Sequence, residues 1–285
     1  MNTLSPQTGV GWPSVVVPVD GEEIVASSTD PVPAGEGPVT PAFQALTDRD
    51  EWLKWFVDNY KPRRPYLGCQ DGSILLLGPT DPYVFGDGTR ITRSTATSFT
   101  AATYLEGGGS LANSTWYYLY VRVFNNAINY EVSTTEPDAA LRFKSGDTSR
   151  CYAGPFRTDG SGSILPFHSV GGDWRYVENA TVVLSSGSAT SWTDVDCSAY
   201  VPPTARMGHF SALMGNAAST NRFAYLRPKG TSVTYGRQLA GPGTSGINSS
   251  DSFSYGLPST LTLQYKVDNA SMSLTLAVDG FTEGR

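Results

Sequence analysis

Charged residues make up only 16% of this 285-residue sequence, against roughly a quarter in an average soluble domain. The 20 basic residues comprise 15 arginines and 5 lysines. Lysine favours solvated surface, whereas arginine tolerates interfaces and stacks on aromatic rings. A sequence poor in lysine and rich in tyrosine therefore indicates a surface that faces other protein over much of its area.

The small net charge of −6 is unevenly placed along the chain. Residues 1–60 hold nine acids and two bases, which gives −7, and the remaining 17 acids and 18 bases give +1. The sequence contains no basic stripe that could follow a phosphate backbone. Nucleic acid is therefore not an expected partner.

Cysteines and long apolar runs are also few. Cys69, Cys151 and Cys197 are odd in number and widely spaced, which argues against a disulfide framework and matches no metal-site spacing. The N-terminus lacks the basic and apolar regions of a signal peptide, and the longest apolar run, Ile74–Leu77, is too short to cross a bilayer. We expect a protein with reduced, buried thiols that is made in a cytoplasm, does not insert into a membrane, and needs no metal or cofactor.

Catalytic signatures are lacking as well. Only His168 and His209 occur, and a single histidine among apolar residues is more often structural than a base. No nucleophile elbow, zinc-protease motif or phosphate-binding loop is present. Asp194 and Asp196 fall on one strand face about 7 Å apart, which suits either a glycosidase pair or, as we favour, a solvent-facing edge beside Trp192. We expect no catalytic residues.

The first 67 residues form an arm followed by a helix and linker. Residues 1–42 contain seven prolines and one short apolar stretch, "SVVVPVDG", so they predict an extended arm without its own core. Such a segment is either a disordered tail or an arm that becomes ordered on a partner. Residues 43–67 contain the only convincing helix, Thr47–Asn59, which ends before Pro62 and Pro65. A helix of this length is marginal in isolation. It must therefore pack either on its own domain or with further copies around a symmetry axis. The side chains that we expect at such a subunit contact are Leu46, Leu53, Phe56 and Tyr60.

From residue 68 onward the pattern is nearly all β. Short runs rich in Val, Tyr, Thr and Phe alternate with Gly, Asn, Asp and Pro turns. The predicted fold class is mainly β, with antiparallel β-domains over 68–169 and 170–285, the second a jelly-roll-like sandwich. The last two strands, 260–267 and 271–278, predict a hairpin that turns at Asp268-Asn269. Tight turns are predicted at Asp71-Gly72, Asp87-Gly88, Asp159-Gly160 and Asp279-Gly280.

The strand "STWYYLYVRVFNN" carries large side chains on both faces. One face presents ordinary core residues, Tyr117, Leu119, Val121 and Val123. The other presents Trp116, Tyr118, Tyr120, Arg122 and Phe124. Aromatic residues and arginine are enriched at buried interfaces, so we assign this second face to a subunit or inter-domain contact. A second layer of the same domain and a sugar-stacking platform are the alternatives.

Segments that together cover most of the sequence resemble tailed-bacteriophage fibre and baseplate-appendage proteins. The segment "VVVPVDGE", followed by a proline-rich stretch and "PAFQALTDRDEWLK", is similar to the virion-attachment end of such fibres. The segments "STWYYLYVRVFN", "YEVSTTEPD" and "RCYAGPFRTDG" resemble a recurrent fibre domain, and "SWTDVDCSAYVPPTARMGHF" looks like the terminal β-sandwich. The sequence is short for a fibre shaft and has no extended heptads.

The resemblance implies a non-enzymatic virion structural protein, assembled in the host cytoplasm as a homotrimer. Residues 1–42 are then expected to bind other virion proteins, and the C-terminal sandwich to face the host. The glycine- and serine-rich stretch Leu239–Gly256 predicts a loop. It either links two strands or packs against a neighbouring subunit, or it contacts a host glycan through Asn248, Asp251, Phe253 and Tyr255. The alternatives are a capsid decoration or head-fibre protein and a soluble carbohydrate-binding β-sandwich protein.

Overall fold

The protein is mainly β. The computed structural model describes residues 2–4, 15–17, 66–69, 71–78, 80–125, 127–177, 181–216, 222–234, 236–241 and 247–284. Of these residues 59% lie in strands and 2% in helix, and the sheets are antiparallel, as the sequence predicts.

The chain divides into two compact units, Met1–Lys61 and Pro62–Arg285. In the first unit, β1 (Asn2–Leu4) and β2 (Val15–Val17) form an antiparallel pair. The second of these strands lies in the apolar stretch "SVVVPVDG". The rest of the predicted arm, the predicted helix Thr47–Asn59, and the side chains of Leu46, Leu53, Phe56 and Tyr60 lie outside the described residues.

The second unit contains nineteen described strands and one short 3-10 helix, Ala101–Tyr104. In chain order the strands are β3 (Leu67–Cys69), β4 (Ile74–Leu77), β5 (Thr80–Val84), β6 (Arg90–Arg93), β7 (Thr97–Thr100), β8 (Trp116–Phe124), β9 (Ala127–Ser133), β10 (Phe143–Lys144), β11 (Asp147–Arg157), β12 (Phe167–Val170), β13 (Asp173–Tyr176), β14 (Thr181–Gly187), β15 (Thr193–Asp196), β16 (Ala205–Asn216), β17 (Phe223–Pro228), β18 (Arg237–Ala240), β19 (Ile247–Gly256), β20 (Thr262–Val267) and β21 (Met272–Glu283).

A nine-stranded sheet is the largest element of this unit. Its strand order is β19-β16-β21-β13-β12-β3-β4-β7, and β14 also pairs with β21. Two four-stranded sheets, β10-β11-β8-β9 and β15-β20-β17-β18, and the pair β5-β6 complete the unit. One continuous hydrophobic cluster takes buried side chains from all three large sheets. The inner face of the nine-stranded sheet therefore shares a core with both smaller sheets.

Alternation of buried and exposed residues explains how the strands build this core. In β20, Leu263, Tyr265 and Val267 are buried while the residues between them are half-exposed. In β4, Leu75 and Leu77 are buried while Ile74 and Leu76 are exposed. Such period-two patterns place one face of each strand in the core and the other toward solvent.

The predicted turns at Asp71-Gly72 and Asp87-Gly88 are confirmed as the connections of β3 with β4 and of β5 with β6. At the first, Asp71 Oδ1 accepts hydrogen bonds from the backbone of Ser73 and Ile74 at 3.0 and 2.8 Å. Gly72 has a φ of 79°, which favours glycine. Asp159-Gly160 also lies in a turn, which the bridge between Thr158 and Ile164 closes.

The predicted hairpin at Asp268-Asn269 is wrong. Strand β20 belongs to a four-stranded sheet and β21 to the nine-stranded sheet, and the two strands do not pair. The connection therefore carries the chain from one layer to another. Alternating patterns are the same for a hairpin and for two strands in facing sheets, because both place every second residue in the core.

The predicted boundary near residue 170 falls on the turn between β12 and β13, which pair with each other. The nine-stranded sheet takes strands from both sides of this turn, and Pro62–Arg285 form one compact unit. The structure does not divide the chain there.

The predicted turn at Asp279-Gly280 is also wrong, because both residues lie inside β21. His209 pairs with Gly280 and Phe210 with Val278, so Asp279 is the extra residue of a β-bulge. Gly280 then lies close to β13, where a Cβ atom would come within 2.0 Å of the Trp174 carbonyl oxygen. Glycine is required here by this close approach of two backbones.

Gly280→Ala tests this requirement. We expect it to lower the free energy of unfolding by about 1–3 kcal/mol, because the added methyl group forces β13 and β21 apart. Gly256→Ala, in the same sheet but with nothing within 4 Å of its Cβ position, is the control and should stay within about 0.5 kcal/mol of the wild type. Urea unfolding of both variants measures the difference, and equal stabilities would contradict the close approach.

Candidate functional site

The second aromatic face of β8 is mostly buried inside the chain. Tyr118 and Tyr120 are 2% and 0% exposed and form a separate cluster with Leu141 and Tyr152. The Tyr120 hydroxyl donates a hydrogen bond to Thr135 O at 2.7 Å. These two tyrosines form a second layer of the same domain, which was the alternative interpretation, and have no surface left for the predicted subunit contact. Burial by residues later in the chain is not visible in the pattern of a single strand.

The other members of this face have different surroundings. Trp116 Nε1 donates to Ser198 O at 3.0 Å, and the Trp116 ring meets the Phe281 ring edge-on at 5.9 Å. Trp116 therefore joins β8 to residues beyond the predicted boundary at 170. Arg122 lies 3.4 Å from Glu131, and Phe124 is 57% exposed. Of the predicted interface, Phe124 is exposed and Trp116 and Arg122 are half-buried.

The predicted glycan contacts lie on a strand, not on a loop. Asn248, Asp251, Phe253 and Tyr255 belong to β19, an edge strand of the nine-stranded sheet that pairs with β16 along its full length. Alternation places the odd-numbered residues on the inner side. The high content of serine and glycine suggested a loop, but in β19 the small polar residues line the solvent side of a strand.

Three of these four side chains are engaged within the chain. Phe253 is buried against Phe210, and the guanidinium of Arg237 lies 4.4 Å from its ring centroid. Asp251 pairs with Arg237 at 3.1 Å, and the Tyr255 hydroxyl donates to Leu226 O at 3.3 Å. Asn248 is exposed. The structure therefore does not bring the four residues together as one exposed glycan site.

A buried ionic network lies between β9, β10 and β11. Glu131 accepts hydrogen bonds from Lys144 Nζ at 2.8 Å and from Arg150 Nε at 2.9 Å, and Lys144 also donates to Glu106 at 2.7 Å. Burial by itself lowers the pKa of Lys144, but the two carboxylates outweigh it and the pKa is raised. Lys144 is therefore a fixed cation between two acids, which suits a structural role. Because Lys144 binds both carboxylates, Glu106 and Glu131 are not available as a catalytic carboxylate pair.

The predicted acid pair on β15 has no cleft. Asp194 pairs with Lys229 and accepts a hydrogen bond from Gln264 at 2.8 Å, and Asp196 accepts one from the backbone of Ser198 at 2.8 Å. Both residues are exposed on an edge strand. This arrangement is the solvent-facing edge that the sequence favoured.

The three cysteines are free and buried. Burial raises the pKa of both Cys151 and Cys197 to about 12. Thiols of this kind are inert, because the thiolate is the nucleophilic form.

A polar cluster around His209 occupies the outer face of the nine-stranded sheet, the side opposite the shared core. His209 Nδ1 lies 2.6 Å from Ser254 Oγ, and His209 Nε2 lies 2.8 Å from Asp173 Oδ1 and 2.9 Å from Thr282 Oγ1. Arg175 holds the second oxygen of Asp173 with two contacts of 3.2 Å. We call His209, Ser254, Asp173, Thr282 and Arg175 the His209 cluster.

Four adjacent strands position the His209 cluster. Trp174 and Phe281 point into the core, so Asp173, Arg175 and Thr282 on the same strands point outward. In the register of the sheet, Asp173 is opposite Thr282, and His209 is opposite Ser254. The network closes where the Thr282 hydroxyl donates to Asp173 Oδ1 at 3.3 Å.

Electrostatics keep His209 neutral. Burial lowers the pKa of His209, and the positive charge of Arg175 lowers it further, while Asp173 and Asp279 act in the opposite direction. When Asp173 is ionised it accepts a hydrogen bond from Nε2–H. Nδ1 is then unprotonated and accepts a hydrogen bond from the Ser254 hydroxyl. A histidine with this tautomer can take a proton from a neighbouring hydroxyl.

Sequence reasoning missed this cluster. It treated His209 as structural, and its members are separated by as many as 109 residues between Asp173 and Thr282. No short motif connects them. The only local signal is the polar alternation "NSSDSFSYG", in which every second residue is small and hydrophilic.

No protein-family model matches this chain, and no curated protein matches it in sequence. Among the described residues, no group of three or more His, Cys, Asp or Glu side chains could hold a metal ion. Within the same part of the chain, no helix has the length and apolar character required to cross a membrane.

Glu131→Gln tests the ionic network. We expect a loss of about 3–5 kcal/mol in the free energy of unfolding, because Lys144 and Arg150 lose their shared buried counter-charge. Asp194→Asn removes an exposed carboxylate and should cost at most about 1 kcal/mol. Chemical denaturation of the two variants makes the comparison, and a small effect of Glu131→Gln would show that the network is dispensable.

The pH dependence of stability tests the environment of His209. Because the pKa of His209 is lowered on folding, the unfolded chain binds more protons. The free energy of unfolding should therefore fall as the pH drops below about 6.5, the ordinary pKa of histidine. His209→Gln should flatten this fall, whereas His168→Gln, an exposed histidine on the same sheet face, should keep it. Urea melts between pH 7.5 and 5.5 measure the slopes, and identical slopes for all three proteins would be evidence against a buried neutral His209.

Proposed function

We propose that this chain is a structural protein of a tailed-phage virion, a short trimeric tail fibre or baseplate appendage. The N-terminal residues 1–42 attach it to other virion proteins, and the β-unit Pro62–Arg285 is carried outward toward the host. The proposal rests first on the resemblance of the arm, helix and β segments to phage fibre proteins.

The division of the chain supports this role. The attachment segment and the β segments that carry the resemblance belong to different compact units, Met1–Lys61 and Pro62–Arg285. The fibre-like segments "STWYYLYVRVFN", "YEVSTTEPD" and "RCYAGPFRTDG" supply β8, β9 and β11 of one four-stranded sheet. A division into an attachment unit and a presented unit suits a particle appendage.

Exposed apolar side chains support association with further copies. Phe124 and Val123 are 57% and 37% exposed at the end of β8. Ile74, Leu76 and Val170 are exposed on the outer face of the nine-stranded sheet. Val123 and Phe124 project from opposite faces of β8, whereas Ile74, Leu76 and Val170 share one face, and apolar residues on one face are typical of contact surfaces. We assign the subunit contacts to these residues together with the predicted helix side chains Leu53 and Phe56.

A carbohydrate-binding role is the second candidate, and one observation favours it. On the outer face of the four-stranded sheet β15-β20-β17-β18, Arg227 and Lys266 lie 4.1 and 4.9 Å from the centre of the Trp192 ring. Lys266 also lies over the ring of Tyr225. Gln264 accepts a hydrogen bond from Arg227 at 2.9 Å. Aromatic rings beside cationic and amide side chains can pack on sugar rings and bind their hydroxyl groups. A host glycan would then meet this face instead of β19.

Size-exclusion chromatography with light scattering tests the trimer. The wild type should elute at three times the chain mass of 30.5 kDa. Leu53→Asp combined with Phe56→Asp should weaken association, because two charges enter an apolar contact. Lys54→Asp, a charge change on the polar side of the same predicted helix, is the control and should remain trimeric. A wild-type monomer at micromolar concentration would contradict the proposal.

Co-sedimentation with virions tests attachment through residues 1–42. Full-length chain should sediment with purified virions, whereas a chain lacking residues 1–42 should remain in the soluble fraction. Light scattering of the shortened chain shows whether it is still assembled. Equal recovery of both chains with virions would rule out attachment through the arm.

A further inference from the structure

We propose that Ser254 is a nucleophile for acyl transfer, with His209 as its general base and Asp173 as the residue that orients His209. The substrate class is a small ester, such as an O-acetyl group, presented at the open edge of the nine-stranded sheet. This activity goes beyond the structural role and departs from the expectation that the chain lacks catalytic residues.

The distances match those of an activated hydroxyl. Ser254 Oγ lies 2.6 Å from His209 Nδ1, and His209 Nε2 lies 2.8 Å from Asp173 Oδ1. Nucleophile, base and orienting acid are each within hydrogen-bond reach, about 2.6–3.2 Å, of the next. Thr282 and Arg175 hold the imidazole and the carboxylate from the other side.

The sheet register brings Ser254 and His209 together. Leu257 N donates to Arg206 O at 2.9 Å, which makes these two residues a hydrogen-bonded pair of β19 and β16. Pairs alternate along an antiparallel ladder, so Ser254 and His209, three positions further along it, form a non-hydrogen-bonded pair. Side chains lie closest together in pairs of this kind. The short Ser254–His209 contact is therefore a consequence of the register.

The same register supplies a donor for the developing oxyanion. In a non-hydrogen-bonded pair the N–H of Ser254 points away from β16. Strand β19 ends the strand order of its sheet in the described residues, so this N–H points toward an open edge. Ser254 itself is exposed, whereas His209 is 5% exposed. An ester carbonyl can thus reach both the Ser254 hydroxyl and a backbone donor from solvent.

Neighbouring serines lack the base. Ser252 lies on the same face of β19 but is opposite Ser211, and Ser250 is opposite Leu213. Ser211 donates its hydroxyl to Asp279. Only Ser254, among the described serines of β19, has an imidazole opposite it, which makes Ser252 a matched control.

The charged groups around His209 come from two strands. Asp173 and Arg175 face it from β13, and Asp279 faces it from β21. His168, opposite Arg175 on β12, completes the ionisable groups of this part of the face. Burial and the charge of Arg175 lower the pKa of His209 and outweigh the two acids, which act to raise it.

The reaction balances without a redox partner. Ser254 Oγ bonds to the ester carbonyl carbon while its proton passes to His209 Nδ1. The carbon–oxygen bond to the alcohol then breaks, and His209 gives that proton to the departing alcohol. Water attacks the acyl-serine, His209 accepts its proton and returns it to Ser254, and a carboxylic acid leaves.

A fluorophosphonate probe and p-nitrophenyl acetate test the proposal on the full-length chain. The probe should label Ser254, as located by peptide mass spectrometry, and ester hydrolysis should exceed the buffer rate. Ser254→Ala should abolish labelling at this position and hydrolysis, whereas Ser252→Ala should keep both. His209→Gln should lower the rate by about 100-fold or more. Absence of label on Ser254, or equal hydrolysis by wild type and Ser254→Ala, would overturn the proposal.

The role of Asp173 has its own readout. Asp173→Asn should lower the hydrolysis rate and move the midpoint of its pH profile to lower pH, because a negative charge that favours protonated His209 is lost. A purely structural effect of Asp173 would change the melting temperature without moving this midpoint. Ser254 is exposed, so we expect Ser254→Ala to fold normally. The comparison of wild type with Ser254→Ala therefore tests the proposal even if a variant at His209 is unstable.

Discussion

The Phe281 ring is the contact on which the β-unit depends. It stacks on Trp174 with centroids 5.4 Å apart and planes 7° apart, and it meets Trp116 and Tyr176 edge-on. Trp174 and Phe281 belong to neighbouring central strands of the nine-stranded sheet, and Trp116 comes from a different sheet. Large aromatic rings that bury their faces against one another contribute both apolar area and a preferred geometry. Together with the continuous hydrophobic cluster, these rings connect β8 to strands much later in the chain.

The orientation of these rings also determines the outer face. Because Trp174 and Phe281 point inward, the residues beside them, Asp173, Arg175 and Thr282, must point outward. The bulge at Asp279 and the close approach at Gly280 maintain the spacing of β13, β21 and β16. Core packing and the His209 cluster are therefore two consequences of one register. A change in the core that shifted β21 by one residue would exchange its two faces and remove Thr282 from the cluster.

The structural role and the proposed chemistry occupy different parts of the chain. We propose attachment through the first unit, subunit contact through exposed apolar side chains such as Phe124, and ester chemistry at the edge strand β19. An appendage that carries a reactive serine at an exposed sheet edge would present it to the surface that the particle meets. The buried network of Glu131 and Lys144 belongs to neither role and stabilises the sheet of β8 to β11.

The sequence by itself determined the fold class, the position of β8, the turns at Asp71-Gly72 and Asp87-Gly88, and the burial of the three cysteines. These features depend on local alternation, on glycine at positive φ and on composition, all of which are visible within a few residues. Only the tertiary structure decided that β20 and β21 lie in different sheets, that Tyr118 and Tyr120 are covered by the same chain, and that Leu239–Gly256 contains an edge strand. It alone placed Ser254, His209 and Asp173 together. The physical reason is that alternation shows which face of a strand is buried, whereas the partner of a strand depends on contacts between residues far apart in the chain.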